Sequence, residues 1–233
     1  GHIAARGATE QTACDKGSFA SGTRNEVCEL CVEGSYQGAT GASECTDADP
    51  GHFATTGATQ QTPCAKGSYA ATGGLSECAQ CEGGTYQNDT GATGCRDCEK
   101  GSYCEPGASR PLPCEGGSYS NKTDLSAASQ CTPAAPGHIA ARGATEQTAC
   151  GEGSFASGTR NEVCELCVEG SYQGATAASE CTAASPGYFA TTGSTQQTHC
   201  AKGSYTDAYG QGECTPCAGG TYQDEGGKTA CKP

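Results

Sequence analysis

The sequence contains no methionine and no tryptophan, and its isoleucine, leucine, valine and phenylalanine together number 15 in 233 residues. So few large apolar side chains exclude a conventional hydrophobic core, and with a net charge of -13 the composition alone would describe a disordered chain. Basic residues are scarce too. Against 26 Asp and Glu stand 13 Lys and Arg, too few for the footprint that nucleic acids or anionic membranes require, so no nucleic-acid partner is expected. No stretch approaches the roughly 18 to 20 apolar residues of a membrane helix, and no membrane span is expected in this segment. The first residues offer neither a Met nor an apolar signal core, as expected of a processed chain or a piece of a longer precursor.

What the chain does have is 20 cysteines. An even count at regular spacing predicts a disulfide framework, and with it an oxidising, extracellular or cell-surface location.

The spacing comes from repeats. Gly1 to Pro50 recurs as Gly137 to Pro186 with five changes, at positions 15, 16, 41, 47 and 49 of the first copy. A looser period of 50 residues lies inside each half, and beneath it a unit of 16 or 17 residues announced by Gly-x-aromatic, from Phe19 and Tyr36 to Tyr222, with Ile3 and Ile139 in the same slot. The chain is fourteen modules of three kinds: A (PGHFATTGATQQT), B (CAKGSYAATGGLSEC) and C (CEGGTYQNDTGATGC). Their order is ABC ABC AB ABC ABC. Five domain-like groups follow: triplets at 1–47 and 48–97, an irregular AB pair at 98–133, and triplets at 134–183 and 184–233.

The irregular pair bears on connectivity. Its A module carries Cys98 where other A modules have Ala48, Ala134 and Ala184, and Cys104 where they have Ala54, Ala140 and Ala190. Both extra cysteines occur together, so the simplest reading bridges Cys98 to Cys104. The B module that follows holds only Cys114 and Cys131, which then pair with each other. The same rule elsewhere joins Cys14 to Cys28, Cys31 to Cys45, Cys64 to Cys78, Cys81 to Cys95, Cys150 to Cys164, Cys167 to Cys181, Cys200 to Cys214 and Cys217 to Cys231. A staggered pairing, first with third and second with fourth in each quartet, stays open.

Runs this short and glycine-rich argue against helix. The expected fold is small, disulfide-rich and all-β: an elongated rod of tandem short β-hairpin modules with little or no helix. Each aromatic is expected to pack on its module's disulfide. Contacts should run only to the next module, at the roughly 10 Å spacing of packed sheets.

The pattern Cys-x-x-Gly-[Ser/Thr]-[Tyr/Phe]...Cys-x-x-Cys-x-x-Gly, and CEKGSYCEPGASRPLPCEGGSY (98–119) in particular, resembles the ephrin-receptor-like cysteine-rich repeats, related to the first module type of tumour-necrosis-factor-receptor ectodomains. The resemblance covers essentially the whole chain and implies elongated extracellular stalks with disulfides closed inside each module. The Cys-free A modules depart from that pattern, which leaves their local fold open.

Other chemistry is weakly signalled. Five Cys-x-x-Cys pairs, Cys28/Cys31, Cys78/Cys81, Cys95/Cys98, Cys164/Cys167 and Cys214/Cys217, could be zinc half-sites or redox dithiols. Tetrahedral zinc needs four converging ligands and a thioredoxin-like site a βαβ context, so structural disulfides are the stronger reading, with no metal and no cofactor expected. His2, His52 and His138 share a slot with Ser102 and Tyr188, and they and His199 read as surface residues. Asp47 and Asp49 lack calcium-loop spacing. No Ser, His and acid form a nucleophile motif, so no catalytic residue and no enzyme are expected. Two sequons, Asn88-Asp89-Thr90 and Asn121-Lys122-Thr123, place Asn seven residues after the first Cys of a module and predict N-linked glycans on one kind of loop tip; Thr-rich loops suit O-linked glycans. The functional expectation is a structural extracellular repeat protein, a rod or head-to-tail filament such as a surface hair, sheath or adhesion stalk. The rival is a ligand-binding ectodomain of a receptor or adhesin, and the expected partners are a second copy or other extracellular proteins.

Overall fold

The structure, a computed structural model, describes residues 1–233. Its 26 strands are two residues each and pair into 13 two-stranded sheets. The fourteenth module closes through a single antiparallel bridge between Tyr222 and Lys232. The only helical element is a 3-10 turn at Ala128–Gln130. The protein is thus a disulfide-rich all-β array of tandem hairpins.

The second triplet shows how each module is made. In its A module His52 pairs with Pro63 and Phe53 with Thr62. In B, Tyr69 pairs with Ala79 and Ser68 with Gln80; in C, Thr85 pairs with Asp97 and Tyr86 with Arg96. The glycine two residues before each aromatic starts the strand with a left-handed backbone, φ 85° at Gly51. The following hydroxyl then locks the tight turn between modules, Ser68 Oγ donating to the Ala65 carbonyl and Thr85 Oγ1 to that of Glu82, both at 2.8 Å. This is why the motif reads Gly-[Ser/Thr]-aromatic. The N–H of the next module's first residue closes each hairpin on the same glycine, Cys64 to the Gly51 carbonyl and Cys81 to that of Gly67, both at 2.9 Å.

Modules join through main-chain hydrogen bonds. At the first C-to-A junction, Gly34 N–H donates to the Ala54 carbonyl (2.7 Å), Gln37 N–H to that of Ala58 (3.1 Å), and Gly57 N–H to that of Cys31 (2.8 Å). The set recurs at the junction of residues 167–194: Gly170 to Ala190, Gln173 to Ser194, and Gly193 back to Cys167. Successive modules are therefore neighbours in the hydrogen-bonding direction, and not face-to-face layers at the expected sheet-packing distance. Contacts also reach one module further than expected. A Cβ placed on Gly51 would lie 2.1 Å from the Gly91 carbonyl oxygen, two modules along, because the return loop of each hairpin folds back over its neighbour.

The buried residues correct a second expectation. They are mostly cysteines and alanines: the first Cys of nearly every bridge is 0–1% exposed, and Ala48, Ala54, Ala134, Ala140, Ala184 and Ala190 are 0–2% exposed. Of the slot aromatics only Tyr86 is buried, against the Cys98–Cys104 bridge. The others lie half-buried on their two-stranded ribbons, and Tyr222 is exposed. Main chains this close leave interior space chiefly for Cβ- or Sγ-sized groups, with Tyr86, Gln87 and Leu125 among the few larger side chains admitted.

The chain forms two compact units, one of Gly1–Leu112 with Thr123–Ala127 and one of Pro113–Lys122 with Ala128–Pro233. Each is a stack of the junctions just described.

Candidate functional site

Every cysteine is paired: Cys14–Cys28, Cys31–Cys45, Cys64–Cys78, Cys81–Cys95, Cys98–Cys104, Cys114–Cys131, Cys150–Cys164, Cys167–Cys181, Cys200–Cys214 and Cys217–Cys231, with Cα–Cα distances of 5.6–5.9 Å. The staggered pairing does not occur. Each Cys-x-x-Cys divides its two sulfurs between consecutive bridges, so none forms a local dithiol. The first Cys of a bridge also ends the preceding hairpin, as Cys64 does on Gly51, and its partner sits just before the return strand of the next. Each bridge therefore holds a return strand against the start of its own module and the end of the one before.

The Cys-free A modules use another fastener. Where the first Cys would be stands a buried Ala, and where the second would be stands Gln. Gln61 Oε1 accepts the Asp49 N–H at 2.7 Å while its Nε2 donates to Asp49 Oδ2 at 2.8 Å. Gln147 accepts from Ala135 N–H (2.9 Å) and Gln197 from Ser185 N–H (2.7 Å). Asp49 thus takes part in a module closure, and its later counterpart, Ser185, keeps the main-chain half of it. In the irregular A module Pro111 replaces the Gln, and the Cys98–Cys104 bridge takes over where Ala48 and Ala54 face one another elsewhere. The C modules carry a further Gln inside the loop. Gln87, 5% exposed, donates to the Gly94 carbonyl at 2.6 Å and accepts the Asp89 N–H at 2.9 Å. The sequence signal for all of these was the recurring glutamine, legible in the alignment but not as a fastener.

Both sequon asparagines are exposed, and both directly follow a residue of the inter-module ladder: Gln87 N–H donates to the Ala108 carbonyl and Ser120 N–H to that of Ala144. Asn88 and Asn121 occupy the same station in their modules. Among the histidines, His52 Nδ1 lies 3.4 Å from the Pro50 carbonyl and His138 Nδ1 3.2 Å from that of Pro136, contacts within their own turns. No three or more His, Cys, Asp or Glu side chains converge. The surface depressions are open, such as that lined by Glu169, Gly210, Gln211, Gly212 and Glu213.

Charge is distributed in small exposed pairs: Arg96 with Asp89 (2.8 Å), Lys228 with Glu225 (2.7 Å) and Lys232 with Asp224 (2.6 Å). The hydrogen bond from Lys232 holds the Asp224 carboxyl below its ordinary value and is the main cause of the raised Lys232 value. Lys228 lowers Glu225 in the same way. The last module also sets Lys232 Nζ 6.0 Å from the centroid of the Tyr222 ring.

No protein-family model matches the chain, and no curated protein matches it. No helix is long and apolar enough to cross a membrane.

One feature escaped sequence reasoning. All four valines are exposed, Val27, Val32, Val163 and Val168 at 68–69%, and Leu30 and Leu166 at 61%. In a chain so poor in aliphatic residues these would be expected inside.

Proposed function

We propose that the chain is a structural extracellular repeat protein that builds a rod or head-to-tail filament of the kind used as a surface hair, sheath or adhesion stalk. The observation that carries this is the recurrence of one set of three main-chain hydrogen bonds at successive junctions. A surface that binds itself by backbone groups at every step offers the same groups to a further module, whatever its side chains. The last C module would present Gly220 N–H, Gln223 N–H and the Cys217 carbonyl, the groups that Gly170, Gln173 and Cys167 use against the A module at 184–199. The first A module would answer with the Ala4 and Ala8 carbonyls and Gly7 N–H. Disulfide density and motif-level resemblance to ephrin-receptor-like repeats support the extracellular setting.

Glycans at Asn88 and Asn121 belong to the same reading. Expressed through a eukaryotic secretory pathway, the chain should lose mass on enzymatic deglycosylation, and Asn88→Gln with Asn121→Gln should abolish the loss. Electron microscopy and sedimentation at rising concentration test the filament. End-to-end particles support it, and monomers that never associate overturn it.

A second reading, a ligand-binding ectodomain, draws on the central pair at 98–133, which alone has an extra bridge, a 17-residue cysteine separation and a 3-10 turn. Replacing that pair by an ordinary triplet would remove binding to an extracellular partner under this reading and leave it unchanged if the pair is a spacer.

A further inference from the structure

The six exposed aliphatic side chains belong to two copies of one sequence segment. The first copy is Val27, Leu30 and Val32, at the end of a B module and the start of the next turn; the second is Val163, Leu166 and Val168. One lies in each compact unit. The fold does not need them. At the same three stations the second B module has Glu77, Gln80 and Glu82, and the last has Glu213, Pro216 and Ala218. Those modules build the same hairpin, Ser68–Tyr69 against Ala79–Gln80 and Ser204–Tyr205 against Thr215–Pro216, closed by bridges of the same separation. Polar side chains therefore satisfy every structural demand of these positions. Leu30 and Leu166 lie beside the Gly57 and Gly193 main chain, a place that Gln80 fills equally beside Gly107, so the module does not demand aliphatics there; side chains of this kind left 61–69% exposed cost solvation free energy and suit a contact surface.

The charges around the trio restrict what can cover it. Glu26, Glu29 and Glu33 alternate with the aliphatics, all exposed, and the nearest cation in sequence is Arg24, with Arg160 its counterpart in the second copy. The second copy keeps the pattern with Glu162, Glu165 and Glu169. An acidic rim repels anionic lipid and nucleic acid, and it opposes the like-charged rim of another such trio. Charge complementarity selects a cationic polypeptide whose apolar side chains alternate with Lys or Arg.

We infer that each Val-Leu-Val trio with its glutamate rim is a docking surface for a basic, apolar-bearing segment of another protein, and that the chain carries two such surfaces. The inference is independent of filament formation, since each copy lies inside one unit.

The test uses the full chain and three synthetic peptides of equal length: alternating Lys-Leu, all-Lys and alternating Glu-Leu. Titration calorimetry should give two Lys-Leu peptides per chain, all-Lys at least about tenfold weaker, and no binding of Glu-Leu; partial burial of three aliphatic side chains is worth at least that factor. Val27→Ser, Leu30→Ser and Val32→Ser together should reduce the stoichiometry to one, and the same change in the second copy should remove binding. These substitutions mimic polar modules already present, and unchanged amide-exchange protection confirms folding. Equal affinity for all-Lys, or unchanged Lys-Leu binding by the folded six-site variant, overturns the inference. So does self-association of the wild-type chain that the serine variants abolish, which would make a second copy the occupant.

Discussion

At the residue scale, two glycine stations govern the module. The one before the aromatic is doubly constrained. It has positive φ, and in the body of each stack a Cβ there would run into the main chain two modules away. Gly51→Ala should therefore destabilise the second A module by more than about 3 kcal/mol, combining left-handed strain with a backbone collision that cannot relax. Amide-exchange protection across 48–97 is the readout. The second station, in the return loop, would bring a Cβ no closer than 3.3 Å to any neighbour, and non-glycine residues occupy it at Arg24 (φ 69°), Asp124 (65°), Arg160 (64°) and Ala177 (58°). Ala177 replaces the Gly41 of the first copy. Ala177→Gly should stabilise its module by about 1 kcal/mol, and Gly41→Ala should cost the first copy a similar amount, both read as local opening free energies. The Gly-aromatic motif was legible in the sequence because its glycine recurs in every module and only Ile3 and Ile139 replace the aromatic. The return-loop station was not, because φ is a property of the folded backbone and four other residues disguise it.

At the element scale, three kinds of fastener hold hairpins of two-residue strands that would not persist alone. A bridge closing about 15 residues contributes roughly 3 kcal/mol in the chain-entropy model. Replacing Cys114 and Cys131 together by Ala should cost about that much. Replacing Cys98 and Cys104 together should cost less, about 2 kcal/mol, since the loop is shorter and the change restores the facing alanines of the other A modules. An equal or larger loss in the second variant would show that the Tyr86 contact, and not loop closure, dominates there. Gln197→Ala should cost about 1 kcal/mol, leaving the Ser185 N–H to water. In the last module the Asp224–Lys232 and Glu225–Lys228 pairs set a pH dependence. Their carboxyls are held below ordinary values when folded, so the contribution is present above the ordinary carboxylate range and fades as pH falls through the lowered values. Amide exchange at the Tyr222–Lys232 bridge should accelerate as the pH falls below the ordinary carboxylate range of about 4 and in high salt, while interior modules stay unchanged.

At the scale of the whole molecule, stability resides in junctions and bridges and not in a core. Complete reduction should therefore unfold the chain at room temperature, with loss of exchange protection in both units, whereas a protein with an apolar core would retain a compact state. Near-neighbour energetics also predicts that disruption spreads only a module or two from any lesion, because hydrogen bonds and close approaches extend that far and no further. Gly51→Ala should leave protection in residues 134–233 untouched.

The sequence by itself determined the modules and their order and favoured the one-to-one pairing, because the duplication supplies an internal alignment and the irregular pair acts as its control; the structure excluded the staggered alternative. Cysteine spacing is a linear property, and linear comparison reads it. Tertiary structure alone decided what lies between modules. Main-chain hydrogen bonds carry no side-chain signature, so nothing in the residues announced that neighbours share a ladder instead of packing face to face. The closeness that follows admits Ala and Cys most readily, leaving every slot aromatic but Tyr86 outside the interior and making alanine the common interior residue beside cysteine. The same crowding leaves no interior place for valine or leucine at Val27, Leu30 and Val32, and three-dimensional exposure, not hydrophobicity, identifies them as surface.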